Sequence, residues 1–87
     1  LLQNRPNPFD EATSIVFLVH EMPAEKEATL TIQDVDGQVL RQEQIPLKLG
    51  ANEVVYTHGY GHTSTLVYTL SIGDRLIDSK KMVFVAY

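Results

Sequence analysis

From Ser14 onward, apolar and polar residues alternate with a period close to two, the signature of strands with one buried face. Residues 14–20 place Ile15, Phe17 and Val19 on one side and Val16 and Leu18 on the other, which predicts a strand covered at least partly on both faces. Met22-Pro23 breaks the run, and the charged stretch 24–28 is too short for a stable helix. Residues 29–35 alternate cleanly, with Leu30 and Ile32 inward. Asp36-Gly37 then signals a hairpin, and residues 38–45 return as a polar edge strand ended by Pro46. A turn over 47–50 leads to a strand over 52–57 with Val54 and Tyr56 on one face. After a loop over 57–65, residues 66–72 alternate again, and Gly73-Asp74 makes a second tight turn. Residues 75–79 and 80–87 complete the pattern as two further strands, with Lys80 and Lys81 opening the last.

This spacing predicts one all-β domain, an immunoglobulin-like antiparallel β-sandwich of about seven strands. Its predicted core comprises Ile15, Phe17, Val19, Leu30, Ile32, Val54, Tyr68, Leu70, Val83 and Val85. Residues 1–13 form a Pro-rich opening segment ahead of the sandwich over 14–87. Pro6 and Pro8 each lack an N–H, so the segment is neither a central strand nor a helix interior. Leu2 and Phe9 are its expected inward anchors, and Pro6-Asn7-Pro8-Phe9 its rigid turn.

Length and composition narrow the class. The chain has 87 residues, enough for one domain, and 44% of them are hydrophobic, ordinary for a globular fold. A net charge of −4 argues against a nucleic-acid partner, which needs a basic face. With no cysteine, disulfides and thiolate chemistry are excluded. The start Leu1-Leu2-Gln3 has neither a basic n-region nor an apolar h-region, and reads as a fragment of a longer protein or a processed product.

Candidate chemistry is sparse. His58 and His62 flank Gly59-Tyr60-Gly61, and two glycines between two histidines favour a solvated loop over a metal site. Ser64, His62 and Asp74 make a Ser-His-Asp set only on paper, because no nucleophile elbow or oxyanion loop accompanies them. The reading is therefore not an enzyme, with no cofactor and no metal.

Four stretches in order carry a resemblance. They are Leu2-Gln3-Asn4-Arg5-Pro6-Asn7-Pro8-Phe9, then Asp34 to Leu40 around Gly37, then Gly50 to Val54, and finally Val67-Tyr68, Gly73-Asp74 and Lys80-Lys81-Met82-Val83. Together they resemble the type A C-terminal sorting domain of the type IX secretion system of Gram-negative bacteria. The sequence departs from the family pattern at Leu66, where Gly is usual, and at Thr69, where an aromatic is usual.

The resemblance implies a secretion signal with no chemistry of its own. Its partners would be the outer-membrane translocon, a sortase-like peptidase that removes the domain, and a cargo protein in cis. Its location would be the periplasm in transit, then the cell surface or the medium. It also implies that Lys80, Lys81, Met82, Val83, Phe84 and Val85 are read by the translocon, by side chains or by strand addition at an exposed edge. Edge lysines placed against aggregation explain Lys80 and Lys81 equally well. The resemblance makes Pro6, Asn7, Pro8, Phe9, Asp34, Gly37, Gly50, Tyr68 and Gly73 motif residues with structural roles. Exposed edges also allow a dimer of the isolated domain. The competing function is an immunoglobulin-like adhesion or carbohydrate-binding accessory module, which would need an aromatic platform drawn from Tyr56, Tyr60, Tyr68 and Tyr87.

Overall fold

The computed structural model describes residues 1–58 and 63–85. They form six strands: β1 (Ala12–Val19), β2 (Glu27–Asp34), β3 (Val39–Pro46), β4 (Gly50–Thr57), β5 (Ser64–Ile72) and β6 (Arg75–Phe84). β1 and β4 pair as a two-stranded antiparallel sheet. The other sheet has the order β3-β2-β5-β6, with every neighbouring pair antiparallel. The fold is an all-β sandwich.

The expected strand count was seven, and the difference lies at residue 79. Arg75 to Phe84 is one continuous strand, because the ladder is in register there, with Thr69 opposite Ser79 and Tyr68 opposite Lys80. The register slips once, between Leu70 and Ser71, where a bulge leaves Ile77 as the extra residue without ending the strand. Lys80 and Lys81 therefore sit in the middle of a strand, paired with Tyr68 and Val67.

One contiguous core joins the sheets. Ile15 and Phe17 come from β1, Val54 and Tyr56 from β4, and Ala28, Leu30 and Ile32 from β2. Leu66, Tyr68 and Leu70 of β5 and Met82 and Phe84 of β6 complete it with Phe9 and Ile45. Three face assignments are corrected. In the last strand Met82 and Phe84 are buried, while Val83 and Val85 are half-buried on the opposite parity. Leu18 is 51% exposed, so β1 is covered on one face only, as an outer strand of a two-layer sandwich must be. Leu2 points outward too, and Leu1 packs against the core in its place.

The turns follow side-chain chemistry. Gly37 N–H closes on the Asp34 carbonyl at 3.1 Å, while the Asp34 carboxylate accepts from Asp36 N and Gln38 N at 3.0 and 2.9 Å. Gly37 takes φ +87°, which a side chain would resist. Asn52 is buried at the β3–β4 connection. Its side chain accepts from Lys48 N at 3.1 Å and donates to the carbonyls of Lys48 and Gly50.

A wide sheet against a narrow one leaves β3 overhanging. Its inward positions 41 and 43 are accordingly an ion pair, Arg41–Glu43, and the Arg41 guanidinium lies 6.0 Å from the Tyr56 ring centroid. Lys26 holds φ 59° between β1 and β2, where its carbonyl accepts from Leu47 N at 3.0 Å.

Candidate recognition surface

The opening segment is built into the sandwich at the seam between β1 and β6. It first runs beside β1. Leu2 N donates to the Val16 carbonyl at 2.9 Å, and Arg5 and Ser14 exchange bonds of 3.0 and 2.7 Å. It then crosses to β6. Phe9 N donates to the Val83 carbonyl at 2.9 Å, Val85 N donates to the Phe9 carbonyl at 2.8 Å, and Val83 N donates to Asn7 Oδ1 at 2.9 Å. Gln3 Nε2 adds a bond to the Lys81 carbonyl at 2.9 Å. A stretch that two prolines bar from regular pairing thus still closes both strand edges, using side-chain groups where backbone donors are missing.

Two buried polar contacts fix the crossing. Asn4 is 1% exposed and its side chain donates to Thr13 Oγ1 at 2.9 Å and to the Pro6 carbonyl at 3.1 Å, while Thr13 Oγ1 donates to the same carbonyl at 2.9 Å. The Tyr68 hydroxyl accepts from Asn4 N at 3.0 Å and donates to the Leu2 carbonyl at 2.8 Å. Burial pushes the Tyr68 phenol above its ordinary 10.0; the Asn4 N–H pulls the other way and the Asp78 charge adds to the rise.

Phe9 caps the end of the core. Its ring meets Tyr56, His58 and Phe84 edge-on, with centroids 6.3, 6.5 and 5.5 Å away. His58 is part of this cluster: it is 6% exposed, its Nδ1 lies 2.7 Å from the Tyr56 hydroxyl, and its backbone N–H donates to the Glu11 carbonyl at 3.1 Å. That corrects the reading of residue 58 as solvated loop; His62 lies outside the described residues. The alternation ending at Tyr56 was the available signal, since His58 continues its parity.

The six expected recognition residues divide by parity. Met82 and Phe84 are core. Lys81 and Val83 belong to the other face, which turns away from the partner sheet, and Lys80 shares the parity of Met82 at the seam. Successive strand residues point to opposite faces, so Lys80 and Lys81 do not present their ammonium groups to one flat partner. The backbone edge of β6 from Lys81 to Val85 is taken by Gln3, Asn7 and Phe9. At Ser79 the Asp78 carboxylate accepts the strand's own N–H at 2.8 Å. That bond is the main cause holding the Asp78 carboxyl below its ordinary range, with help from the Leu1 ammonium and Lys80. Strand addition along this stretch of β6 would require the opening segment to leave.

The motif residues hold the positions described above: Asp34 and Gly37 in the hairpin, Tyr68 under the crossing, and Gly50 and Gly73 at positive φ in their turns. The Ser-His-Asp set does not assemble. Ser64 starts β5 and Asp74 follows its end, roughly 25 Å apart at strand rise, and His62 is outside the described residues. Tyr56 and Tyr68 are buried and contribute nothing to an exposed aromatic platform; Tyr60 and Tyr87 lie outside the described residues. Among the described residues, no group of three His, Asp or Glu side chains converges to hold a metal. No family model, no curated protein and no solved structure matches the chain.

Proposed function

We propose that this domain is a C-terminal sorting signal, read by an outer-membrane type IX translocon to export a cargo protein in cis, then removed by a sortase-like peptidase. The observation that carries the reading is the motif order of the resemblance. The fold supports it by joining the first motif to the last: Asn7 and Phe9 bond Val83 and Val85, and Tyr68 bonds Leu2 and Asn4. A signal built this way is presented only by the folded domain. The side chains offered for recognition are Lys81 and Val83 on the outer face, with Lys80 at the seam.

The test is a secretion assay in a type IX-competent host, with the domain fused behind a signal peptide and a fluorescent reporter. Deleting residues 80–87 would remove Met82 and Phe84 from the core, so the informative variant keeps the fold. Lys81→Glu combined with Val83→Thr changes only the outer face. Reporter in the medium with the intact domain, and a several-fold loss with a variant that melts normally, is the expected result. Periplasmic retention of the intact fusion beside a working positive control would overturn the reading.

A further inference from the structure

The two outer faces of the sandwich differ in chemistry. The wide sheet turns Thr29, Thr31, Gln42, Thr69 and Ser79 outward, and Gln42 bonds Thr31 there as Thr69 bonds Ser79. On the narrow sheet the outward positions are apolar. Val16 and Leu18 alternate with buried Ile15 and Phe17, and Val55 lies between buried Val54 and Tyr56. Leu18 is 51% exposed and Val55 53%. Residues 15–19 are apolar at every position, a pattern that strands carry when both faces are covered. Among the described residues only the inner face of β1 is covered, and contiguous exposed apolar surface marks a contact site.

One cation and one anion stand on this face. Arg5 lies opposite Ser14 on one side of β1, and Glu53 lies opposite Val16 on the other. With Ser14 and Val16 they line one depression of about 560 Å³. The ion pairs among the described residues join Leu1 to Asp78 and Arg41 to Glu43, so neither Arg5 nor Glu53 has its charge matched there. Strand spacing puts their backbones about 10 Å apart across β1 and about 7 Å apart along it. A two-fold axis lying in the face and crossing β1 between Ser14 and Val16 therefore carries Arg5 onto the partner's Glu53, and Glu53 onto the partner's Arg5. The same axis sets Val16 and Val55 near the centre of the contact and Leu18 toward its rim.

We propose that the outer face of the narrow sheet is an interface between two copies of this chain, with reciprocal Arg5–Glu53 pairs around an apolar centre of Val16 and Val55. The argument for a second copy is charge complementarity: the face carries one charge of each sign, and the same face turned over matches both at the same separation. An isologous contact of this kind is closed, so assembly stops at two. Three strands about 14 Å across bury on the order of 1,000 Å² in the pair, the size of a weak, reversible complex. Lys81 and Val83 lie on the other outer face, so the inference does not depend on the secretion reading, and failure of either leaves the other standing.

The test is analytical ultracentrifugation of the 87-residue chain from about 10 μM to about 1 mM, with amide NMR shifts followed over the same range. The expected result is a reversible monomer–dimer equilibrium, with concentration-dependent shifts at Ser14, Val16, Glu53 and Val55. Arg5 and Glu53 are both exposed, so their charges can be reversed without touching the core. Arg5→Glu and Glu53→Arg should each weaken the dimer roughly tenfold or more, by setting like charges against each other. An equimolar mixture of the two variants should pair again, because each supplies the charge the other lacks. Val55→Lys should also weaken the dimer, since it puts a charge into the apolar centre. Three results would overturn the proposal: a monomer up to the highest concentration, shifts confined to a sheet edge such as β3, or a mixture as monomeric as the separate variants. Shifts at this face only when a second protein domain is fused to the chain would also overturn it, by assigning the face to that domain.

Discussion

The Tyr68 hydroxyl donates to the Leu2 carbonyl at 2.8 Å across 66 residues of sequence. The same oxygen accepts from Asn4 N at 3.0 Å. One core side chain thus ties the first residues of the chain to the central sheet. Tyr68→Phe keeps the ring and removes both bonds, leaving a buried backbone N–H without its acceptor. The expected cost is about 1–3 kcal/mol in urea melts. Amide exchange should rise first at Asn4 and Arg5.

The same phenol gives the domain an alkaline limit. Its pKa is raised in the fold, mainly by burial, above the 10.0 of an exposed tyrosine. The unfolded chain then loses the proton first. The contribution is fully present below pH 10 and is lost as pH rises through the folded value. Tyr68→Phe should lose less stability than the parent between a melt below pH 10 and one above it. Equal losses would show that the Tyr68 phenol is not shifted.

Parity in the last strand can be read by paired substitutions. Met82 is fully buried, while Val83 on the other face is half-buried. Met82→Ala should cost about 2–5 kcal/mol, as should Leu30→Ala in the central strand β2. Val83→Ala should cost well under half as much as either. Thermal or urea melts of the three variants measure the ordering, and a costlier Val83→Ala would reverse the strand.

Asn52 organises the β3–β4 connection through three backbone bonds. Asn52→Ala strands those groups in a buried turn, and about 1–3 kcal/mol should be lost. Asn52→Asp keeps the acceptor for Lys48 N but loses the donor to two carbonyls, so it should not restore the parent stability.

The strands were legible because alternation is a direct record of a one-sided core. Ile15 and Phe17, Leu30 and Ile32, and Tyr68 and Leu70 all face the way their spacing predicts. The last strand was misread because Met82 to Val85 is apolar at every position, so periodicity carries no parity there. β-Branched Val83 and Val85 looked like core, whereas the register with Leu66 buries Met82. The bulge opposite Ser71 has no sequence signal, and the ladder runs regularly through Ser79 and Lys80, where the sequence suggests a boundary. Asn4 and His58 were missed as buried groups for a related reason. Their burial depends on partners 64 and 49 positions away, at Tyr68 and Phe9. The candidate recognition segment is legible in the sequence as a segment and not as a face, because which of Lys80 and Lys81 looks outward follows from the register.

The central claim is that the opening segment is part of the fold and closes the edge of β6. Native-state amide exchange at Val83 and Val85 tests it most directly, since these N–H groups bond Asn7 Oδ1 and the Phe9 carbonyl and nothing within their own sheet. The account predicts protection at both amides close to that of the central strand β2, with Asn7→Ala lowering it at Val83 while leaving β2 unchanged. Exchange of both amides at the rate of an open sheet edge would contradict it.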